Sequence, residues 1–274
     1  MSAPAVAPTI AERALRVREE ILQMAAGEHG AHVGGGLSAT DVLCVLYLEV
    51  LRLRPDEPGW PGRDRFVLSK GHASAALYAV LAEAGFLERE ELETYCKAGS
   101  RLAGHPLRRL PGVEFPTGSL GHGLSLATGI ALGLRRAHSE SRAFALLGDG
   151  ELQEGSVWEA VMLAGHLRLG NLTAIVDRNR LQITGSTEDC VALEPLADRW
   201  RAFGWDVVEV DGHDHAALRT ALTTTGARPT MVLAHTVKGA GVPMFEGDRR
   251  SHAVKLSPRN HRRALAGLRA GAAS

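Results

Sequence analysis

Two apolar runs constrain this chain most: Ala143-Phe144-Ala145-Leu146-Leu147 and Leu172-Thr173-Ala174-Ile175-Val176-Asp177. Each reads as a β-strand, and a helical segment, Glu154 to Leu167, lies between them. Strands alternating with helices form a parallel sheet covered on both faces. Each run also ends in polar residues, Gly148-Asp149-Gly150 after the first and Asn179 soon after the second. In a parallel sheet both groups emerge at the carboxyl ends of strands, where such folds bind ligands. A carboxylate and an amide oxygen placed there suit a hard cation such as Mg²⁺ bridging to phosphate oxygens. The glycines flanking Asp149 let backbone approach a phosphate closely. Alone, Gly-Asp-Gly is also an ordinary turn after a strand. The asparagine following a strand of its own turns the reading toward a metal–diphosphate site.

Composition narrows the classes. With 274 residues the chain is long enough for one large domain with a full core. Its 31 basic and 31 acidic residues cancel, leaving no electrostatic footprint for nucleic acid or an anionic membrane. No apolar stretch approaches the roughly 20 residues of a membrane span. The start, Met1 to Pro8, has neither the basic patch nor the apolar core of a signal peptide and reads as a loose tail. We expect a flexible tail over residues 1–9 and one domain over residues 10–274, ending in a helical tail after Pro258. Cys44, Cys96 and Cys190 show no metal-type spacing, and Cys44 in its apolar run reads as a buried hydrophobe. Nothing calls for an oxidising compartment, so a cytoplasmic location is expected.

Thr9 and Glu12 have capping-box spacing and open a first helix. Gly27 to Gly36 reads as a glycine-dense loop, with Ser38 and Asp41 opening a second, apolar helix to about Leu51. A short strand, Phe66-Val67-Leu68, ends in Lys70-Gly71-His72, and an alanine-rich helix follows. A loop from Gly99 to Gly123 leads into a helix crowded with Ser125, Ala127, Thr128, Gly129, Ala131 and Gly133, which suggests close packing against another helix. Beyond the second apolar run come a helix near Leu193 to Phe203, a strand Asp206 to Val210, a helix His215 to Leu222 and a strand Met231 to Ala234.

His32, His72 and His105 sit beside glycine in loops or at a strand end, unlike a structural histidine on an apolar face. Imidazoles there suit proton transfer to hydroxyls and carbonyls. Glu154 is either a carboxylate favoured by a helix N-terminus or a buried proton relay. Lys238 either reaches an anion or caps a loop, and His213 reads as part of a helix-capping turn.

Several of these segments together resemble the amino-terminal half of transketolases, the diphosphate-binding part of thiamine-diphosphate enzymes, and most of all the short first subunit of two-chain transketolases. They are Ala31-His32-Val33-Gly34-Gly35-Gly36-Leu37-Ser38, Asp64 to His72, Gly104-His105-Pro106, Thr117 to Gly123, Gly148 to Gly155 and Asp177 to Gly185. The similarity runs from about residue 10 to 255, with the motifs in family order. It implies the thiamine-diphosphate-binding α/β fold, and an enzyme that moves a two-carbon ketol unit from a ketose or its phosphate to an aldose or its phosphate. Asp149, Asn179 and the main-chain oxygen of Leu181 would hold Mg²⁺, or Ca²⁺ or Mn²⁺ in its place. Gly148, Gly150 and Glu151 would face the diphosphate, with Lys238 and His252 near it. Gly118 and Leu120 would line the aminopyrimidine and Ile183 would pack near the cofactor rings. His32, His72 and His105 would face the thiazolium and substrate, and Glu154 would join a carboxylate network where subunits meet. The cofactor supplies the carbanion chemistry.

In this family the glutamate that activates the aminopyrimidine lies in a second, pyrimidine-binding domain, for which the residues after 255 leave no room. The chain is therefore expected to be inactive alone and to need a separate pyrimidine-binding subunit, in a heterotetramer of two such pairs. It departs from the family pattern at Ala240, where many relatives have lysine, and at Ser251-His252-Ala253, where they have Trp-His-Gly. Two other readings stay open: an acyloin-forming carboligase or keto-acid decarboxylase component using the same cofactor, and a catalytically silent binding or regulatory subunit.

Overall fold

The computed structural model describes residues 7–272. Residues 1–6 of the expected tail lie outside that range, and Thr9 already caps the first helix. Five parallel strands form one sheet in the order β1-β2-β3-β5-β4. Along the chain these are β1 (Arg65–Leu68), β2 (Ala143–Gly148), β3 (Leu172–Arg178), β4 (Asp206–Asp211) and β5 (Thr230–His235). The helices are α1 (Ile10–Ala25), α2 (Val33–Val45), α3 (Ser74–Glu83), α4 (Gly123–Arg136), α5 (Gly155–His166), α6 (Thr187–Cys190), α7 (Leu196–Ala202), α8 (His215–Thr223) and α9 (Pro258–Ala272).

Side chains alternate across a strand, so the buried sheet feeds two separate cores. Phe144, Leu146, Ile175 and Val232 join the core beneath α1, α2, α3, α8 and α9. Ala143, Ala145, Leu147, Ala174 and Val176 join the other, beneath α4, α5 and α7, where Trp200 and Trp205 meet edge to face with centroids 4.8 Å apart. Burial on both faces explains why these strands read as continuous apolar runs.

The capping box forms as expected: Glu12 N–H donates to Thr9 Oγ1 at 3.2 Å, and Thr9 N–H to Glu12 Oε2 at 2.7 Å. α2, however, begins at Val33, inside the segment read as a loop. Its glycines serve close approach and not a turn. A Cβ on Gly34 would lie 2.3 Å from Ser251 Oγ, and one on Gly35 would lie 3.1 Å from His72 Nε2. Ser38 and Asp41, expected to open the helix, are buried inside it. A π-helical turn, Leu46–Val50, extends α2. The stretch Val33–Val50 is long and apolar enough to cross a membrane by composition, unlike the expectation above, but 83% of it is buried within the protein. The small residues of α4 also differ from expectation. Ala127, Thr128 and Ala131 are buried, whereas Ser125, Gly129 and Gly133 face outward, and a Cβ on either glycine would meet nothing within 4 Å.

Asp41 is the polar hub of the first core. Arg18 grips it with both guanidinium nitrogens, at 3.1 and 2.6 Å, while His213 Nδ1 and His215 Nε2 lie 2.7 and 2.8 Å from its oxygens. Burial works to raise its proton affinity, but Arg18 and the two imidazoles hold the carboxyl well below its usual range. His213 does lie in the capping turn of α8, where Asp214 is the cap through the N–H groups of Ala216 and Ala217, but its ring serves Asp41. Removing one member of a buried pair strands the other charge. We expect Asp41→Ala to lower the unfolding free energy in urea by about 3–5 kcal/mol. Glu57→Ala, at the exposed Arg54–Glu57 pair, should change it by less than about 1 kcal/mol.

Candidate functional site

The carboxyl ends of β1, β2, β3 and β5 open into one cavity of about 460 Å³. Gly148 pairs in register with Asp177, so the residues that follow, Asp149 on one strand and Arg178 and Asn179 on the other, are neighbours. Every residue expected at the cofactor, metal or proton-transfer site lines this cavity: His32, His72, His105, Gly118, Leu120, Gly148, Asp149, Gly150, Glu151, Glu154, Asn179, Leu181, Ile183, Lys238 and His252. A larger groove of about 620 Å³, beside Glu19, Glu93 and Arg269, contains none of them.

Asp149 is buried and its oxygens are aimed by backbone. Gly150 N–H donates to Oδ1 at 2.8 Å and Arg180 N–H to Oδ2 at 2.5 Å. Burial first, then the Asp177 carboxylate, push its pKa up to about 6 against those N–H groups and Arg178. Asn179 Oδ1 accepts from Leu181 N–H at 3.1 Å, and the Leu181 carbonyl accepts from Lys238 Nζ at 3.2 Å. Burial, and then the neighbouring Lys70, bring Lys238 down to about 8. Lys238 thus ties down a loop carbonyl and also lines the cavity.

The four histidines form one cluster. His32 has its ring centroid 5.6 Å from His72, 5.8 Å from His105 and 5.4 Å from His252, and His72 lies 5.1 Å from His252. His252 therefore joins the group in spite of the altered residues beside it. Burial is the main reason that His32 and His72 fall below the usual imidazole value, His72 well below; burial and Lys238 bring His252 to about 4. These three rings are neutral near pH 7, each a donor at one nitrogen and an acceptor at the other.

Glu151 has a role that its sequence position did not reveal. Its buried carboxylate accepts from Ser69, from Gly121 N–H at 2.9 Å and from Gly148 N–H at 3.1 Å, clamping the 117–123 loop to the end of β2. Beneath the cavity lies a second polar cluster missed by the sequence reading. Lys70 Nζ donates to Asp177 and, at 2.9 Å, to the Gly35 carbonyl; Ser38 and Thr236 donate to Asp177 as well. The signal was present: Lys70 and Asp177 are charged residues abutting apolar strands. Glu154 stands exposed at the N-cap of α5 with no side-chain bond to the first turn, so within this chain it is not a buried relay. Ile183 is 65% exposed at the cavity rim.

The donor set can be weighed against a hard cation. Asp149, Asn179 and the Leu181 carbonyl offer oxygen only, and among the described residues no three His, Cys, Asp or Glu side chains form a metal cage. Such a set leaves coordination places for phosphate and water oxygens, as Mg²⁺ prefers. Two buried atoms on the cavity wall, Gln182 Oε1 and His252 Nδ1, have no hydrogen-bond partner. The residues fit a bound polar group.

Residues 11–266 match a family model described as transketolase, thiamine diphosphate binding domain. The chain belongs to the transketolase family. Among its relatives, an apulose-4-phosphate transketolase subunit of Phocaeicola vulgatus is 43% identical over 238 residues, 86% of this chain and 85% of that one. A 6-deoxy-6-sulfo-D-fructose transketolase subunit of a Clostridium species is 44% identical, with 91% of each chain covered. Human transketolase is 40% identical over 91% of this chain but only 40% of its own length. The transketolase of Campylobacter jejuni superposes with a TM-score of 0.85 at 31% identity, covering 94% of this chain and 42% of that one. This transketolase domain thus spans about two fifths of the solved transketolase chains and most of the length of the separately encoded subunits.

The histidine cluster makes a stability prediction. The imidazoles of His32, His72 and His252 have folded-state pKa values below the unfolded 6.5, so their contribution is full above pH 6.5 and is lost as pH falls through the folded values, about 4 for His252. In urea unfolding between pH 6.5 and 4, His252→Asn should lose stability less steeply than the unaltered chain.

Proposed function

We propose that this chain is the diphosphate- and metal-binding subunit of a two-chain transketolase, moving a two-carbon ketol unit between sugar-like substrates. The observation that carries this reading is the convergence of Asp149, Asn179, the Leu181 carbonyl and the four histidines on one cavity at the strand ends. Thiamine diphosphate, when bound, supplies carbanion stabilisation that no protein side chain offers. Asp149, Asn179 and Leu181 would hold Mg²⁺ against its diphosphate, with Gly148, Gly150, Glu151 and Lys238 around the phosphates. Gly118, Leu120 and Ile183 would flank the rings. His32, His72, His105 and His252 would exchange hydrogen bonds and protons with substrate hydroxyls and the reacting carbonyl.

A second chain is supported by what this one leaves uncovered. Ile183 and Glu154 at the cavity are exposed, and of the packed pair α4 and α5, α5 exposes Met162 and Leu163 while α4 turns Ser125, Gly129 and Gly133 outward. Such surfaces favour burial against another chain. Two relatives of nearly the same length are named as subunits of a transketolase, which supports a separate pyrimidine-binding partner, with two pairs meeting as a heterotetramer and Glu154 at the contact. The relatives are named for a sugar phosphate and a sulfo-sugar, which supports a ketose substrate carrying an anionic end.

Calorimetry with thiamine diphosphate and Mg²⁺ tests the assignment. Asp149→Ala should abolish Mg²⁺-dependent cofactor binding while the circular dichroism spectrum stays native; retained binding would remove the metal role. Because a cation needs the ionised carboxylate, affinity for Mg²⁺ should fall as pH drops through about 6 in the unaltered chain, approaching about tenfold per unit below it. An affinity flat from pH 7.5 to 5 would contradict the carboxylate as ligand.

A further inference from the structure

Arg178 ends β3 with its side chain fully buried, one residue from Asn179 and beside Asp149. Its fork is shared between the cation site and the segment that follows. Nη1 lies 3.3 Å from Asp149 Oδ2 and 2.7 Å from Thr187 Oγ1, and Nη2 lies 2.8 Å from both Glu188 Oε1 and Glu194 Oε1. The two glutamates are themselves tied to backbone, Glu188 by the N–H groups of Leu193 and Glu194, and Glu194 by Leu196 N–H at 2.9 Å. Thr187 N–H donates to the Arg180 carbonyl at 3.0 Å, closing the loop that carries Leu181. One guanidinium therefore joins two of the three oxygen donors: it touches the Asp149 carboxylate directly, and it anchors the base of the loop from which the Leu181 carbonyl projects.

The charges are matched as well. An arginine alone beside a cation site would repel the cation. Here one guanidinium faces three carboxylates, so the group keeps an excess of negative charge while Asp149 stays oriented. A lysine could not do this, because a single ammonium lacks the planar fork that spans several oxygens.

We propose that Arg178 is a positioning residue that sets the cation affinity of the site, by fixing the Asp149 carboxylate and the Leu181 loop relative to each other. The proposal rests on the reading of Asp149 and Leu181 as cation ligands. Hydrogen-bonded partners of ligating carboxylates commonly change metal affinity by about 10–100-fold when removed.

The test measures, on the full chain by calorimetry at a fixed, sub-saturating thiamine diphosphate concentration, the Mg²⁺ concentration that gives half-maximal cofactor binding. Melting temperature without Mg²⁺ is recorded in parallel. Arg178→Lys should raise the half-saturating Mg²⁺ by about tenfold or more, while excess Mg²⁺ restores cofactor affinity. Glu194→Gln loosens the same segment without touching Asp149 and should shift it by no more than about threefold. A merely structural role would give equal Mg²⁺ shifts in variants of equal melting temperature, and that result, or an unchanged Mg²⁺ dependence in Arg178→Lys, overturns the proposal. If Arg178→Lys does not fold, Thr187→Val, which removes one of the guanidinium's anchors, should shift the Mg²⁺ dependence in the same direction, and an unchanged value overturns the proposal. If the unaltered chain binds cofactor without any need for Mg²⁺, the ligand assignment itself fails, which is a separate outcome.

Discussion

The contact between Lys70 and Asp177 holds the upper edge of the sheet together. Both side chains are sealed from solvent, 1% and 0% exposed. A buried ion pair is stable only when its remaining hydrogen-bonding capacity is filled. Here the Gly35 carbonyl, Ser38 and Thr236 fill it, the first two from the opening turns of α2 and the third from beyond β5. The pair therefore pins the end of β1, the end of β3, the start of α2 and the exit of β5 to a single point. The cavity lies directly above, and its donors inherit their positions from this arrangement. Although burial works to raise the Asp177 proton affinity, Lys70 holds the carboxyl below its usual range, so the cluster stays ionic.

A second polar line reaches the same place from below. Asp41 binds His213 through Nδ1, and His213 Nε2 accepts the Val237 N–H at 2.9 Å, one residue before Lys238. The ring is thereby fixed in the tautomer that carries its proton on Nδ1, given an ionised Asp41. Helices α1 and α2 thus influence where the lysine ammonium stands, through a carboxylate and an imidazole that never enter the cavity.

Much of this was legible in the sequence. Fully buried parallel strands announce themselves as apolar runs, and the polar residues just past them mark the ligand edge. That is why Asp149, Asn179 and the glycine-flanked histidines could be picked out together. What escaped the reading depended on contacts distant in sequence. The glycines of α2 looked like a loop because glycine disfavours helices, yet the close approach of Ser251 and His72 demands them. The capping turn around His213 was legible, but the contact of its ring with the distant Asp41 was not. Glu151 was expected to face the diphosphate, and nothing in its position showed that its side chain also ties the 117–123 loop to the end of β2. The outward turn of Gly129 and Gly133 could not be read either, since small residues satisfy a helix neighbour within the chain or one outside it equally well.

The sheet also works as a partition. Its two faces feed separate cores, one around α1, α2 and α3 and the other around the tryptophans under α5 and α7. Perturbations more than about 7–10 Å apart, without common partners, combine additively. Substitutions drawn from opposite faces and separated by that distance therefore accumulate independently, so each core can be repacked on its own terms.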